Sequence, residues 1–253
     1  MSHPTTAAVL PGARTRTRTR TRTSLAGFTL RRVVTASATA VLAATTSLSG
    51  ALPTHAAWRD NARTLSAERT WQTARTQGIW MFGDSITAAD SPDLAGLLRP
   101  SGHVLAVDAT PGIPTEPAVN QLLERLRHSG PPRRLVMALG TNDSDPRVVA
   151  RQIDRVLNAV PATTTVYWVN IWKHRWLNRG AESDRTATAA INAAIERADR
   201  GHANLQTVDW WTTVETDPHH YLRDGVHTLP AGCAARNHLI ERAVYGPGRP
   251  ARH

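Results

Sequence analysis

The segment GDSIT, residues 83–87, places a serine hydroxyl among residues that favour a tight turn. A serine hydroxyl is a weak nucleophile until a neighbouring base removes its proton. Chemistry at Ser85 would therefore require a histidine from elsewhere in the chain. The segment alone is a weak signal, because glycine, aspartate and serine are also ordinary turn residues.

The segment DGVH, residues 224–227, could supply that base. An imidazole accepts a proton near neutral pH, and a carboxylate three residues before it can bond its other ring nitrogen and fix the tautomer. Asp224 and His227 are therefore a candidate pair. The chain has 11 histidines, however, and a surface turn is the simpler explanation of this segment by itself.

The segment LGTND, residues 139–143, adds a hydrogen-bond donor. The side-chain amide of Asn142 could bind a developing oxyanion, an interaction that contributes about 3 kcal/mol in acyl transfer. The same side chain could instead form a turn that caps the following helix. Both interpretations are open for the segment alone.

Five short apolar runs alternate with segments of helical character, which is typical of a parallel sheet covered on both faces. The runs predict strands over residues 78–82, 103–109, 133–139, 163–171 and 204–210. Helices are predicted over residues 60–76 and near 91–99, 117–128, 146–159, 184–200 and 229–244. The predicted fold class is α/β, a three-layer sandwich with a five-stranded, flavodoxin-like parallel sheet and helices on both faces.

Several helix boundaries have a local cause. Asp145 can cap a helix whose first position is Pro146, where the missing N–H has no consequence. The Gly-Pro-Pro run at residues 130–132 should end the preceding helix. Pro230 is in turn a suitable first residue for the last helix.

In sheets of this kind, sites form where the carboxyl ends of strands meet the loops that follow. Two of the three segments directly follow predicted strands, and the third precedes the last helix. In this order and at these distances from the ends of the domain, GDSIT, LGTND and DGVH resemble blocks I, III and V of the SGNH (GDSL-like) hydrolases. The resemblance extends from about Gly78 to Val244.

The resemblance implies a serine esterase. Ser85 would attack an ester carbonyl, His227 would take the proton and later return it, and Asp224 would orient the imidazole. The oxyanion would lie among the backbone N–H groups of Ser85 and Gly112 and the side chain of Asn142. An ordinary turn is the alternative for Gly112, whose surroundings lack the Gly-Asn pair of many members. No metal and no organic cofactor are needed.

A finer likeness is to the SGNH domains attached to membrane acyltransferases of cell-wall glycans, and it is carried by VYWVNIWKHRWLN, NLQTVDWW and DGVHTLPAG. It implies an acyl ester on a wall polysaccharide as substrate. Trp172, His174 and Trp176 follow the fourth strand and are expected to wall the acyl or glycan pocket, with core packing as the alternative. Trp168 and Trp210 are expected in the core.

The charge balance argues against nucleic-acid binding. The chain has 30 basic and 20 acidic residues, but residues 1–56 hold seven arginines and no acid. The remaining net charge of +3 is too small to indicate a nucleic-acid-binding surface.

Cys233 is the only cysteine in the sequence, which excludes an intramolecular disulfide and a thiolate metal cluster. A metal site at Asp217, His219 and His220 is conceivable, but none is expected.

Residues 1–56 have the composition of an export signal preceded by a low-complexity Arg-Thr tract. Arg31 and Arg32 precede an apolar stretch that ends in small residues, and cleavage is expected after Ala56 or Ala57. A secreted or cell-envelope protein without a lasting membrane anchor is therefore predicted. The general secretory and twin-arginine routes are both open, and a retained anchor is the alternative.

Residues 57–253 are predicted to be a single domain, and a monomer is expected. Its first interpretation is an exported carboxylic-ester hydrolase acting on an acyl ester, with a cell-wall glycan as a candidate partner. An O-acyltransferase using the same three residues is the second. A non-catalytic glycan-binding protein is the third, because a fold does not guarantee an activity.

Overall fold

Five parallel strands form one sheet in the computed structural model, which describes residue 73 and residues 78–176 and 181–246. The strands are β1 (Ile79–Gly83), β2 (Leu105–Ala109), β3 (Arg134–Ala138), β4 (Thr165–Val169) and β5 (Leu205–Val208). Their order is β2-β1-β3-β4-β5, and every neighbouring pair is parallel. This is the flavodoxin-like order, and it confirms the predicted α/β class.

Helices connect these strands and follow the last one. Those within the described ranges are α1 (Ser85–Leu98), α2 (Thr115–Ser129), α3 (Pro146–Ala159), α4 (Ala181–Gly201), α5 (Trp210–Thr216), α6 (Pro218–Tyr221) and α7 (Pro230–Tyr245), with a 3₁₀ turn at Arg99–Ser101. None of them is both long and apolar enough to cross a lipid bilayer.

The sheet is buried on both faces, because successive side chains of a strand point to opposite sides. On one face, Phe82 and its neighbours pack in a cluster with apolar residues of α2, α3 and α4. On the other, Met81 and its neighbours pack with residues of α1, α5 and α7. The molecule therefore has three layers, as predicted, and the helix that begins at Ser85 lies on the second face.

The predicted helix boundaries follow from their local chemistry. The Asp145 side chain accepts a hydrogen bond from the backbone N–H of Arg147 at 2.8 Å, and Pro146 is the first residue of α3. α2 ends at Ser129, directly before the Gly-Pro-Pro run, and α7 begins at Pro230. These three expectations are confirmed.

The helix predicted near 91–99 begins six residues earlier, at Ser85. The cause is Asp84, whose carboxylate accepts a hydrogen bond from the backbone N–H of Ile86 at 3.0 Å and caps the helix. Pro92 lies inside this helix, although proline usually marks a boundary. Ser85 is consequently the first residue of a helix rather than part of a free turn.

The fifth strand is shorter than predicted. It ends at Val208, and Trp210 is the first residue of the unpredicted helix α5, because the Asp209 carboxylate accepts a hydrogen bond from the N–H of Thr212 at 3.1 Å. Trp210 is nevertheless 2 % exposed and lies in the core, as expected. The predicted leader, residues 1–56, lies outside the described residues, as does the helix predicted over 60–76 apart from Thr73.

Candidate active site

Ser85 lies at the carboxyl edge of the sheet, beside its middle strands. β1 ends at Gly83, which is in register with Ala109 of β2 and Ala138 of β3. Asp84 turns the chain into α1, and the half-buried Ser85 follows as the first helical residue. Its hydroxyl therefore lies where the loops after neighbouring parallel strands meet.

The structure brings His227 and Asp224 to this serine. Ser85 Oγ lies 3.1 Å from His227 Nε2, although the two residues are 142 positions apart in the chain. His227 Nδ1 lies 2.8 Å from Asp224 Oδ2. An ionised carboxylate can only accept a hydrogen bond, so Nδ1 carries the ring proton and Nε2 of the neutral imidazole accepts from the serine hydroxyl.

A tight turn holds the carboxylate against the imidazole. Asp224 Oδ1 accepts hydrogen bonds from the backbone N–H groups of Val226 at 3.0 Å and of His227 at 2.8 Å. Burial raises the pKa of Asp224, but the hydrogen bonds from His227 and Val226 and the charge of the imidazolium lower it further, so the net pKa lies below its usual value. Asp224 is therefore ionised at neutral pH.

The loop after β4 supports this turn from the other side. The backbone N–H of His174 donates to the carbonyl of Gly225 at 3.0 Å. Gly225 has a φ of +84°, and a Cβ placed on it would lie 1.9 Å from the His174 carbonyl oxygen. Position 225 in the turn between Asp224 and His227 thus accepts no side chain.

Asn142 lies between the serine loop and the loop after β2. Its Nδ2 donates to the carbonyl of Ile113 at 3.1 Å and lies 3.5 Å from Asp84 Oδ2. The first contact is a good hydrogen bond, whereas the second is at the outer limit of one. One of the two amide hydrogens therefore has no strong acceptor among these groups, and the side chain is exposed at the site.

Gly112 lies in an exposed turn of the loop after β2. The N–H of Ile113 donates to the carbonyl of Thr110 at 3.1 Å, and Gly112 has a φ of +75° at the third position of this turn. The backbone around Gly112 therefore forms a turn, and the Gly112 side of this turn is exposed. The neighbouring contact between Asn142 and Ile113 brings this turn to the same edge of the sheet as Ser85.

Asp143 is a structural residue that the sequence analysis did not single out. Its Oδ2 accepts hydrogen bonds from the N–H of Thr115 at 3.0 Å and from the Thr115 hydroxyl at 2.6 Å. Both residues are buried, and Thr115 begins α2. The loop after β3 is therefore fixed to the loop after β2. The signal was present, because Asp143 directly follows Asn142 in the LGTND segment.

Asp84 is buried directly behind Ser85, with 1 % of its surface exposed. Burial raises the pKa of Asp84 above its usual value, and the nearby Arg236 guanidinium and hydrogen bonds from the Ile86, Thr141 and Thr87 groups only partly offset this effect. The carboxylate is engaged in capping α1 and does not face the open edge. Its role in the site is to set the turn that presents the serine.

The aromatic residues after β4 separate into two environments. Trp172 is 8 % exposed and packs against Trp211, with ring centroids 4.7 Å apart, so the expectation of a pocket wall does not apply to it. Trp176 is half-buried and packs against the exposed His219, with ring centroids 4.3 Å apart and the rings tilted by 37°. His174 is also half-buried. Trp176 lies against Gly225, since its Cε3 is 3.0 Å from the position of a Gly225 Cβ.

Metal ligation has no support in the part of the chain that the structure describes. There, no group of three or more His, Cys, Asp or Glu side chains is arranged to hold an ion, and this includes Asp217, His219 and His220.

A buried ion pair between Asp90 and Arg236 lies beside the site and has no sequence signal. The two residues are 146 positions apart, and each is at most 3 % exposed. Nothing in the local pattern around either residue indicates that they meet.

Comparison of the chain with known proteins identifies its fold. No protein-family model matches the chain, and no curated protein sequence does. Among solved structures, the C-terminal catalytic domain of the peptidoglycan O-acetyltransferase A of Streptococcus pneumoniae superposes with a TM-score of 0.54 at 19 % identity, covering 66 % of this chain and 92 % of that one.

Two further structures give the same result. A member of the lipolytic protein G-D-S-L family from Veillonella parvula superposes with a TM-score of 0.55 at 16 % identity, covering 64 % of this chain and 94 % of that one. A family 3 carbohydrate esterase of Clostridium thermocellum superposes with a TM-score of 0.52 at 14 % identity, covering 65 % and 93 %. The chain therefore has the SGNH (GDSL-type) hydrolase fold.

Proposed function

We propose that this protein is a serine-dependent carboxylic-ester hydrolase that acts on acyl esters outside the cytoplasm. The observation that carries the proposal is the unbroken chain of contacts from Ser85 Oγ to His227 Nε2 at 3.1 Å and from His227 Nδ1 to Asp224 Oδ2 at 2.8 Å. A nucleophile, a base and an orienting carboxylate in this relation are the requirements for acyl transfer through a serine.

In the first half of the reaction, Ser85 Oγ attacks the ester carbonyl while its proton passes to His227 Nε2. The tetrahedral intermediate collapses when the C–O bond to the alcohol breaks and the imidazolium returns the proton to the leaving oxygen. In the second half, water attacks the acyl-enzyme while His227 accepts its proton, and the acyl C–Oγ bond then breaks as the imidazolium returns that proton to Ser85 Oγ. The acid is then released, and the serine is regenerated. Asp224 stabilises the imidazolium that forms twice in this cycle.

The oxyanion of the tetrahedral intermediate would be bound by donors of three loops. These are the backbone N–H groups of Ser85 and Gly112 and the side-chain amide of Asn142. Asn142 supports this assignment, because its 3.5 Å contact with Asp84 is at the outer limit of a hydrogen bond and leaves one amide hydrogen to donate to an oxyanion. A single donor of this kind contributes about 3 kcal/mol to stabilising the transition state.

We further propose that the alcohol part of the substrate is a sugar. Trp176 and His219 pack against each other with their rings tilted by 37°, both are at least partly exposed, and Trp176 lies beside the turn that carries His227. Aromatic faces next to a site favour the apolar faces of sugar rings. Two of the similar structures are named as a carbohydrate esterase and a peptidoglycan O-acetyltransferase domain, which agrees with an acylated cell-wall glycan as substrate.

Transfer of the acyl group to a second sugar hydroxyl is the other candidate function, and the likeness to an O-acetyltransferase domain favours it. Water and a sugar hydroxyl would compete for the same acyl-enzyme. Incubation with an acyl donor and a glycan acceptor separates the two functions, because a transferase yields acylated glycan whereas a hydrolase yields only free acid.

The composition of residues 1–56 supports export of the protein, which is tested by finding the processed chain outside the cytoplasm.

The test of the proposed function is hydrolysis of a short-chain nitrophenyl ester by the full chain. Ser85→Ala should lower kcat/KM at least about 10³-fold while the circular dichroism spectrum is unchanged. Ser144→Ala is the matched control, since Ser144 is an exposed serine in the loop after β3. A Ser85→Ala protein as active as the Ser144→Ala protein would refute the role of Ser85.

A further inference from the structure

A buried polar cluster joins the helix of the proposed nucleophile to the last helix. Arg236 of α7 places Nη1 3.4 Å from Asp90 Oδ2 of α1, and its Nη2 donates to Thr87 Oγ1 at 3.2 Å. The side chain of Asn237 donates to the backbone carbonyl of Asp90 at 3.0 Å. Groups this deeply buried need their partners, so the cluster fixes α7 against α1.

The same carboxylate also holds the loop of the proposed base. Thr228, the residue after His227, donates its hydroxyl proton to Asp90 Oδ1 at 2.7 Å. This is a short hydrogen bond to a charged acceptor, the stronger class of side-chain hydrogen bond. Asp90 lies five residues after Ser85 on one helix, a rise of about 7.5 Å. One rigid element therefore carries the serine and the anchor of the histidine loop.

Other hydrogen bonds shape this loop without tying it to α1. The N–H of Arg223 donates to the carbonyl of His227 at 2.8 Å, and Leu222 forms an isolated antiparallel bridge with Thr228. These partners belong to the same C-terminal segment as the histidine. Among the described residues, the side-chain hydrogen bond from Thr228 to Asp90 relates the loop to the helix of Ser85, in addition to the contact between Ser85 and His227 themselves.

We propose that Asp90 is a positioning residue for His227, which it holds through the hydroxyl of Thr228, and that Arg236 holds Asp90 in turn. The inference rests on the proposed function and goes one step beyond it. Arg236 compensates the buried charge of the carboxylate and points it toward Thr228. Without this tie, His227 Nε2 would sample positions away from Ser85 Oγ, and proton transfer would slow.

The variant that isolates this tie is Thr228→Val, because valine has the shape of threonine without the hydroxyl. Replacing Asp90 or Arg236 would instead leave an unpaired buried charge and endanger the fold. Thr228→Ala is a second variant that also lacks the hydroxyl, and Thr228→Ser restores it. Thr164→Val is the matched control, since the hydroxyl of buried Thr164 bonds the Pro132 carbonyl at the opposite end of β4.

The experiment measures the rate at which a fluorophosphonate probe labels Ser85 in the full chain, with peptide mapping of the labelled site. Thr228→Val and Thr228→Ala should be labelled about 10- to 100-fold more slowly than wild type, as expected for a misplacement near 1 Å. Thr228→Ser should recover most of the rate, and Thr164→Val should be labelled at the wild-type rate. In ester hydrolysis, kcat should fall while KM stays within about twofold.

A double-mutant cycle separates positioning from general destabilisation. If Thr228 acts through the imidazole, Thr228→Val should have no further effect on labelling in a His227→Ala background. An equal slowing in both backgrounds would overturn the positioning role. If the wild-type protein and Thr228→Val were labelled at the same rate, the positioning role would be overturned while the proposed function would stand. If the wild-type protein were not labelled at Ser85, the proposed function and the positioning role would both be refuted.

Discussion

Gly225→Ala should damage the site without touching any of the three proposed catalytic side chains. The new Cβ would lie 1.9 Å from the His174 carbonyl oxygen and 3.0 Å from Cε3 of Trp176. The glycine also has a φ of +84°, a conformation that alanine adopts at a penalty of roughly 1–2 kcal/mol. Both effects act on the turn that joins Asp224 to His227.

The size of the effect follows from the distances. Side-chain Cβ atoms essentially never approach other atoms closer than 3.0 Å, so the turn and the loop after β4 must separate by about 1 Å. That movement weakens the 3.0 Å hydrogen bond from the His174 N–H to the Gly225 carbonyl, which contributes about 1 kcal/mol. We expect the free energy of unfolding to fall by about 2–3 kcal/mol. A displacement of about 1 Å at His227 should lower kcat/KM about 100-fold.

The assay combines urea unfolding with hydrolysis of a nitrophenyl ester at a temperature where the variant is folded. Gly102→Ala is the matched control, because Gly102 has a φ of +71° but no atom within 4 Å of its added Cβ. The control should lose only the strain energy of roughly 1–2 kcal/mol and keep its activity. If Gly225→Ala were as stable and as active as Gly102→Ala, the inference that the loop after β4 confines the turn between Asp224 and His227 would be wrong.

Three further changes test separate features of the chain. Asp145→Ala removes the cap of α3 and should lower the free energy of unfolding by about 1 kcal/mol, whereas Asp154→Ala on the exposed face of that helix should change it by less than about 0.5 kcal/mol in urea titrations. Burial raises the pKa of Cys233 to about 12, so iodoacetamide at pH 8 should modify the folded chain far more slowly than the urea-unfolded chain; equal rates would contradict this. A hydrogen bond from Arg175 lowers the pKa of Asp184 below its usual 3.8. The ionised carboxylate therefore stabilises the fold fully above pH 3.8, and this stabilisation is lost as the pH falls through the lower pKa of the folded state. Acid titration of stability below about pH 4 should therefore be shallower in Asp184→Asn, and identical curves would show that this ion pair contributes nothing.

The layers of this fold could be predicted from the sequence because each element has a local cause. A continuous apolar run such as LVMA at residues 135–138 predicts a strand that is buried on both faces of a parallel sheet, and it does so without information from the rest of the chain. Proline at positions 146 and 230 and the aspartate cap at 145 determine helix starts within one turn of chain. The three segments with serine, asparagine and histidine were placed at one edge by the same reasoning, since strand ends converge in parallel sheets.

Prediction was wrong where a cap competed with an apolar pattern. The apolar run through Trp210 extended the predicted fifth strand, but Asp209 caps a helix there instead. In the same way Asp84 begins α1 at Ser85, ahead of the periodic residues. Trp172 and Trp176 lie four residues apart in one loop, but Trp172 is buried in the core beside Trp211 whereas Trp176 is partly exposed.

By itself the sequence determined the fold class, the starts of the helices at Pro146 and Pro230, and the residue types available at the carboxyl edge of the sheet, because these depend on neighbours within a few positions. Tertiary structure alone decided that Ser85 and His227 meet at 3.1 Å, that Asp90 pairs with Arg236, and that the His174 carbonyl leaves no room for a side chain at position 225. Each of these is a contact between residues distant in the chain, and its geometry depends on how helices and loops pack on the sheet, which no local pattern encodes.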